Sequence, residues 1–110
     1  MTRLDKLLEF YKNEPNDEFL KYALATEYLR LNETDKSLSY YEDLVTNHPR
    51  YVGTYYHLGK LYEALNRRGD AIKTYEAGML IAKELRDNHA LSELKTVYMQ
   101  AKGVDDDDDY

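Results

Sequence analysis

Apolar residues return every three or four positions along most of this chain. Leu4, Leu7, Leu8 and Tyr11 open the series, and Ala90, Leu91, Leu94, Val97, Tyr98 and Ala101 close it. Between them, Tyr55, Leu58, Gly59 and Tyr62 are spaced by three, one and three, which places them on one face of a helix. That spacing predicts amphipathic helices rather than strands, and with only two prolines and five glycines the chain has few strand-and-turn signals. Six helices are expected, near 2–13, 16–31, 34–47, 50–65, 68–84 and 87–102. Thr2 with Asp5 has the form of a capping box for the first, and Thr34 is the expected N-cap of the third. Asn32 and Asn66 each follow a leucine at the end of a helical pattern. After glycine, Asn best tolerates the left-handed conformation that stops a helix, so both are read as stops. Pro15 and Pro49 then punctuate the junctions between helix pairs.

The pattern also repeats over a longer distance. Pro15 and Pro49 lie 34 residues apart, and a shift of 34 superposes Leu24 on Leu58, Ala25 on Gly59, Tyr28 on Tyr62, Leu31 on Leu65, Asn32 on Asn66, Leu38 on Ile72 and Tyr41 on Tyr75. Agreement at one spacing in so many positions marks an internal repeat. Small residues at Ala25, Gly59, Ala71 and Gly78 let helix backbones approach, with neighbouring aromatics filling the space.

The segment Tyr55-x-x-Leu58-Gly59-x-x-Tyr62, followed by Ala71-x-x-x-Tyr75, resembles the tetratricopeptide repeat signature, with Tyr in place of Trp at 55 and of Phe at 75. The earlier copy keeps Leu24, Ala25, Tyr28, Tyr41 and Pro49. It departs from the pattern at Lys21, where a large aromatic belongs, and at Ser37, where Ala belongs. The resemblance implies an all-α fold, a right-handed α-α superhelix of about six antiparallel helices. The expected organisation is one helical domain over 1–103: a half-repeat helix at 2–13, repeats at 16–49 and 50–83, and a capping helix at 87–102. An acidic disordered tail is expected at 104–110.

The two ends differ from the middle in a way a short solenoid needs. Stacked repeats bury their faces on neighbours, so the terminal faces must be capped. Leu7 lies 34 residues before Tyr41, and its helix carries a stripe able to cover the first pair. In the last helix the positions equivalent to Tyr55, Leu58, Gly59 and Tyr62 are His89, Ser92, Glu93 and Thr96. The gripping face has become polar, which suggests a complete protein rather than a fragment of a longer array.

Composition narrows the function classes. The formal net charge is -6, but five of the 21 acids sit together at Asp105–Asp109, and the remaining acids nearly balance the 15 bases. A near-neutral body without a basic stripe does not suit nucleic acid, where neutralisation of phosphates dominates affinity. No apolar run approaches the roughly 20 residues of a membrane span, and the N-terminus lacks a signal-peptide core, so no membrane insertion is expected. There is no cysteine, in keeping with a cytoplasmic location and excluding thiolate chemistry. His48, His57 and His89 have no metal-ligand neighbour of the usual kind at i+3 or i+4, the glycines form no phosphate-binding loop and no serine sits in a nucleophile elbow. No enzyme, no metal and no cofactor are expected. Five adjacent aspartates repel one another and lack the spaced ligands of a calcium loop.

What remains is binding. There are 12 tyrosines and no tryptophan. Tyr28, Tyr41, Tyr55, Tyr62 and Tyr75 occupy signature positions and are expected in the core. Tyr22 and Tyr56, 34 residues apart, lie off that face. In proteins of this family the first helices of successive pairs line a concave groove that receives a peptide or partner segment. By that resemblance the partner-binding residues are Phe19, Tyr22, Thr26, Leu29 and Arg30 in the first copy, and Tyr56, Lys60 and Glu63 in the second. Exposed aromatics and arginine are the usual anchors of interfaces. Family members that clamp the C-terminal carboxylate of heat-shock chaperones use Lys and Asn on this inner face. Here Tyr22, Thr26 and one lysine, Lys60, stand there, which departs from the clamp. The alternative to partner capture is a homo-oligomer, such as a homodimer, that hides the same aromatic face, since short solenoids bury little area per residue.

Overall fold

The computed structural model describes residues 1–103. Asp105–Asp109 and the tail assigned to 104–110 lie outside the described residues. Six α-helices follow one another: α1 (Arg3–Asn13), α2 (Glu18–Arg30), α3 (Thr34–Asn47), α4 (Gly53–Ala64), α5 (Arg68–Leu85) and α6 (Asn88–Lys102). No strand occurs among the described residues. The chain divides into two compact units, Met1–Tyr51 and a second beginning at Val52.

In the first unit α2 packs on α1 and on α3. Thr2 and Asp5 form the expected capping box at the start of α1, the Thr2 hydroxyl accepting from the Asp5 N–H at 3.1 Å. Leu7 is buried with Ala23, Leu24 and Tyr28, and Leu4, Leu8, Tyr11, Leu20 and Tyr40 close around that cluster. The rings of Tyr28 and Tyr40 stack at 5.8 Å, and Tyr11 meets Tyr40 edge-on at 5.7 Å. In the second unit α4 packs on α5, and α6 packs on both. Leu94, Val97 and Ala101 are the buried residues of α6, while Leu91 and Tyr98 are only half covered.

Helix ends follow local backbone chemistry. Asn32 and Asn66 sit at φ 63° and 61°. In each turn the following N–H reaches back to a tyrosine carbonyl one turn earlier, Glu33 to Tyr28 and Arg67 to Tyr62, both at 2.8 Å. This closes the first helix of each pair and frees the chain to reverse. The expectation that Thr34 caps α3 is corrected: Thr34 is the first residue of the helix, and Glu33 is the cap, without a side-chain bond. The left-handed turn at Asn32 runs so directly into α3 that the Glu33 carbonyl already accepts the first helical N–H, from Ser37 at 3.1 Å. The second helix starts at Glu18 rather than 16, because Asp17 caps it through the Leu20 N–H at 2.9 Å. The fourth starts at Gly53 rather than 50, since Tyr51 N–H closes a turn onto the His48 carbonyl.

Candidate functional site

Repeat proteins recognise partners with side chains that the core does not consume. The signature positions define what the core takes. Leu24, Ala25, Tyr41, Leu44, Ala71 and Tyr75 are fully buried. The two departures from the signature in the first copy are buried too, and each has acquired a partner. Lys21, 3% exposed, places its ammonium 2.8 Å from Asp43 and 3.4 Å from His48. The Ser37 hydroxyl donates to the Ala25 carbonyl at 2.7 Å. A buried polar group is tolerable only when hydrogen-bonded, and both are.

Five candidate residues share one face of α2. Phe19 is 62% exposed, and Leu29 is also exposed. Tyr22 is half-buried, its ring edge-on to Tyr41 at 6.3 Å and to Tyr51 at 5.6 Å. Burial raises its hydroxyl pKa above the ordinary value. The Thr26 hydroxyl donates back to the Tyr22 carbonyl at 2.8 Å. Arg30 is solvent-facing but fixed: its guanidinium makes two bonds to Glu27, at 3.1 and 2.5 Å. Glu27 is 4% exposed and also meets Arg3 at 3.4 Å. The Arg30 hydrogen bond is the main cause holding the Glu27 carboxyl below its usual pKa; burial opposes it, and the charges of Arg30 and Arg3 add to it.

Three candidate residues share one face of α4. Lys60 is exposed. Tyr56 is half-buried beside His57, ring centroids 5.5 Å apart. With His89, Glu93, Thr96 and Val97 of α6 it lines a pocket of about 270 Å³. Glu63 accepts the Tyr75 hydroxyl at 2.5 Å. Burial first, then this bond and the Glu63 charge, push the Tyr75 pKa far up. Of the eight candidates, Tyr22, Arg30 and Glu63 therefore also hold the fold, whereas Phe19, Leu29 and Lys60 present themselves to solvent.

A second concavity was not foreseen from the sequence. It lies between α5 and α6, measures about 410 Å³ and has Met79, Leu91, Tyr98 and Met99 as its apolar floor, with lysines at 83, 95 and 102. Leu91 and Tyr98 belong to the apolar stripe of the last helix, yet they are only half covered. The spacing 91, 95, 98, 102 is itself helical, and it was the one available signal. No cluster of three or more metal-ligating side chains occurs among the described residues, and no described helix is long and apolar enough to cross a membrane.

Helix pairs built on one period, with small residues under aromatics, define an all-α helical-repeat protein. Residues 52–85 match the tetratricopeptide repeat model. Among solved structures, a tetratricopeptide repeat domain protein from Salinibacter ruber is 48% identical, with 81% of this chain and 90% of that chain covered and a TM-score of 0.78. The chain belongs to the tetratricopeptide repeat family. A protein from Bordetella parapertussis (19% identity, 96% of this chain, 91% of that chain, TM-score 0.79) shares the fold. So does the TPR2B domain of yeast Sti1, solved in a complex with pHsp70 (17% identity, 91% of this chain, 80% of that chain, TM-score 0.82). No curated protein matches the chain.

Proposed function

We infer that this chain works as tetratricopeptide repeats generally do, as a protein–protein interaction module and non-enzymatic scaffold. We propose that this chain is a cytoplasmic, cofactor-free module that binds a peptide or partner segment through the α2 face bearing Phe19, Tyr22, Thr26, Leu29 and Arg30 and the α4 face bearing Tyr56, Lys60 and Glu63. The observation that carries this is Phe19. A phenylalanine left 62% exposed, one turn from a half-buried tyrosine and on the same face as an exposed leucine, has apolar area to bury and no neighbour in its own unit that buries it. Aromatic side chains in such positions are the usual interface anchors.

The TPR2B domain of yeast Sti1, which shares this fold, is a module in complex with pHsp70, and that supports reading this chain as a binding module. Lys60 is the single lysine among the eight candidate residues, so a carboxylate clamp is not proposed here. The test is capture of partners from the native cell by the full chain and by Phe19→Ala and Tyr56→Ala variants. Phe19→Ala is the cleaner probe, because Tyr22 also packs on Tyr41 and Tyr51. Loss of a specific partner with unchanged helical circular dichroism supports the assignment. Unchanged capture by both variants overturns it. A concentration-dependent rise in solution mass that Phe19→Ala abolishes would favour self-association through the same face.

A further inference from the structure

We propose that the trough between α5 and α6 is a docking site for an acidic amphipathic helix of a partner protein. Its α6 wall is built from positions 91, 95, 98, 99 and 102, and its α5 wall from 79 and 83. Those α6 positions span about three helical turns, roughly 16 Å, which is the footprint of a short helix laid in a groove. Met79, Leu91 and Met99 form an adaptable apolar floor, since methionine repacks readily around different surfaces. Tyr98 is held as a wall by its hydroxyl, which donates to Glu76 at 3.1 Å, and by the Lys102 ammonium 5.6 Å from its ring centre. Leu80, 63% exposed, continues the apolar surface along α5.

The shape of the occupant follows from the repeat. α5 packs on α4 as the second helix of a pair, and α6 packs on both. A second helix paired with α6 would lie against α5 and α6, where the trough is. The 34-residue period carries the start of α5, Arg68, onto Lys102. Residues 102–110, Lys-Gly-Val followed by five aspartates and a tyrosine, have no apolar stripe at helical spacing, and Gly103 ends α6 at φ 75°.

The sign of the occupant follows from charge. The trough is lined by three lysines, which outnumber Glu76, a carboxylate beside it that accepts the Tyr98 hydroxyl. An acidic flank on an apolar helix satisfies both features at once. A second copy of this chain would offer α1, the helix in the equivalent register. Its stripe is already used on α2, with Leu7 buried, and its charged residues, Arg3, Lys6 and Lys12 against Asp5 and Glu9, leave it positive.

The probe is a fluorescent synthetic peptide of about four helical turns, with leucines every third or fourth position and glutamates flanking them. Anisotropy titration into the full chain should show saturable binding that tightens as salt falls. The variant Lys83→Glu/Lys95→Glu/Lys102→Glu should bind at least about tenfold more weakly with unchanged circular dichroism, and should instead bind a peptide with lysine flanks. Absence of binding to the parent chain overturns the proposal. So does equal binding of a peptide with the same charge and a scrambled apolar order, because the trough would then attract charge without recognising a helix. Binding that survives the lysine changes but is lost in Phe19→Ala or Tyr56→Ala places the peptide on the α2 or α4 face and overturns it as well. Binding seen only after Asp105–Asp109 are replaced by asparagine assigns the trough to the chain's own acidic segment, against the proposal.

Discussion

The two repeats share their signature positions and solve the space beneath them differently. In the second, the large aromatic Tyr55 lies against Gly78: a Cβ there would sit 2.5 Å from Tyr55 Cβ. In the first, the equivalent positions hold Lys21 and the fully buried Leu44, so a thin charged chain faces a bulky residue. The neighbouring positions follow suit. Asp43, which pairs with Lys21, corresponds to Ala77; Glu27 corresponds to the buried Leu61, and Ser37 to Ala71. A third pair explains a glycine. Tyr75 reaches across Gly59 to bond Glu63, one turn further along α4, and a Cβ at 59 would sit 2.1 Å from a Tyr75 ring carbon. In the first repeat the equivalent of Glu63 is Leu29, whose side chain cannot accept a hydrogen bond from Tyr41, and Ala25 is accommodated. One backbone plan thus accepts an interior of bonded charges or an interior of packed rings, provided each substitution carries its complement.

The sharpest test of that difference is steric. Gly59→Ala or Gly78→Leu should cost about 2–3 kcal/mol or more, because overpacking against fixed rings outweighs the helix propensity gained. Chemical denaturation would read it. If the two interiors are alternative solutions, Gly78→Leu should be partly rescued when Tyr55→Lys and Ala77→Asp are added, a coupling that independent sites would not show.

Next in size is the buried pair. Lys21→Met should destabilise by about 1–2 kcal/mol, below the value for a fully buried partner, because Asp43 is about one-third exposed and regains water. Adding Asp43→Leu should recover most of the loss.

The same charges make the first unit the acid-sensitive one. Glu27 is depressed chiefly by its bond to Arg30. At Asp43 burial would raise the pKa, but the hydrogen bonds from Lys21 and Asn47 and the charges of Lys21 and His48 together bring it below its usual value. Carboxyls depressed on folding stabilise fully above their unfolded pKa values, near pH 4, and lose that contribution as pH falls through the folded values. Amide exchange should therefore show α2 and α3 losing protection below about pH 4 before α4 and α5 do. Equal loss in both units would break the comparison.

Smaller effects are expected at Ser37 and at the two asparagine stops. Ser37→Ala restores the family residue but leaves the Ala25 carbonyl without its hydroxyl donor, a cost of about 1 kcal/mol or less. The same measurement on Asn32→Gly and Asn66→Gly should give near-equal changes of a few tenths of a kcal/mol in the stabilising direction, since both residues hold the same left-handed turn.

Local chemistry was readable along the chain wherever a residue's task depended on near neighbours. The capping box at Thr2 and Asp5 and the stops at Asn32 and Asn66 are bonded within a few residues, and the 34-residue recurrence exposed the helix pairs and the aromatic core positions. Thr34 was misassigned as a cap because the turn at Asn32 runs straight into α3, which depends on the carbonyl of Tyr28. Of the candidate binding residues, periodicity placed all eight on two helix faces. It could not show that Glu63 accepts the buried Tyr75 hydroxyl, or that Arg30 is held by Glu27.

By itself, then, the sequence determined the helices, their pairing and the family, because period, caps and small residues act over one turn or one repeat. Which polar residues are buried, which glycine has a ring across it and where an apolar trough ringed by lysines remains open were decided only in the tertiary structure. The physical reason is that burial and bonding are properties of pairs: Lys21 is a misfit in its repeat until Asp43 arrives from the next helix, and Leu91 looks like core until α5 is seen to leave it half uncovered.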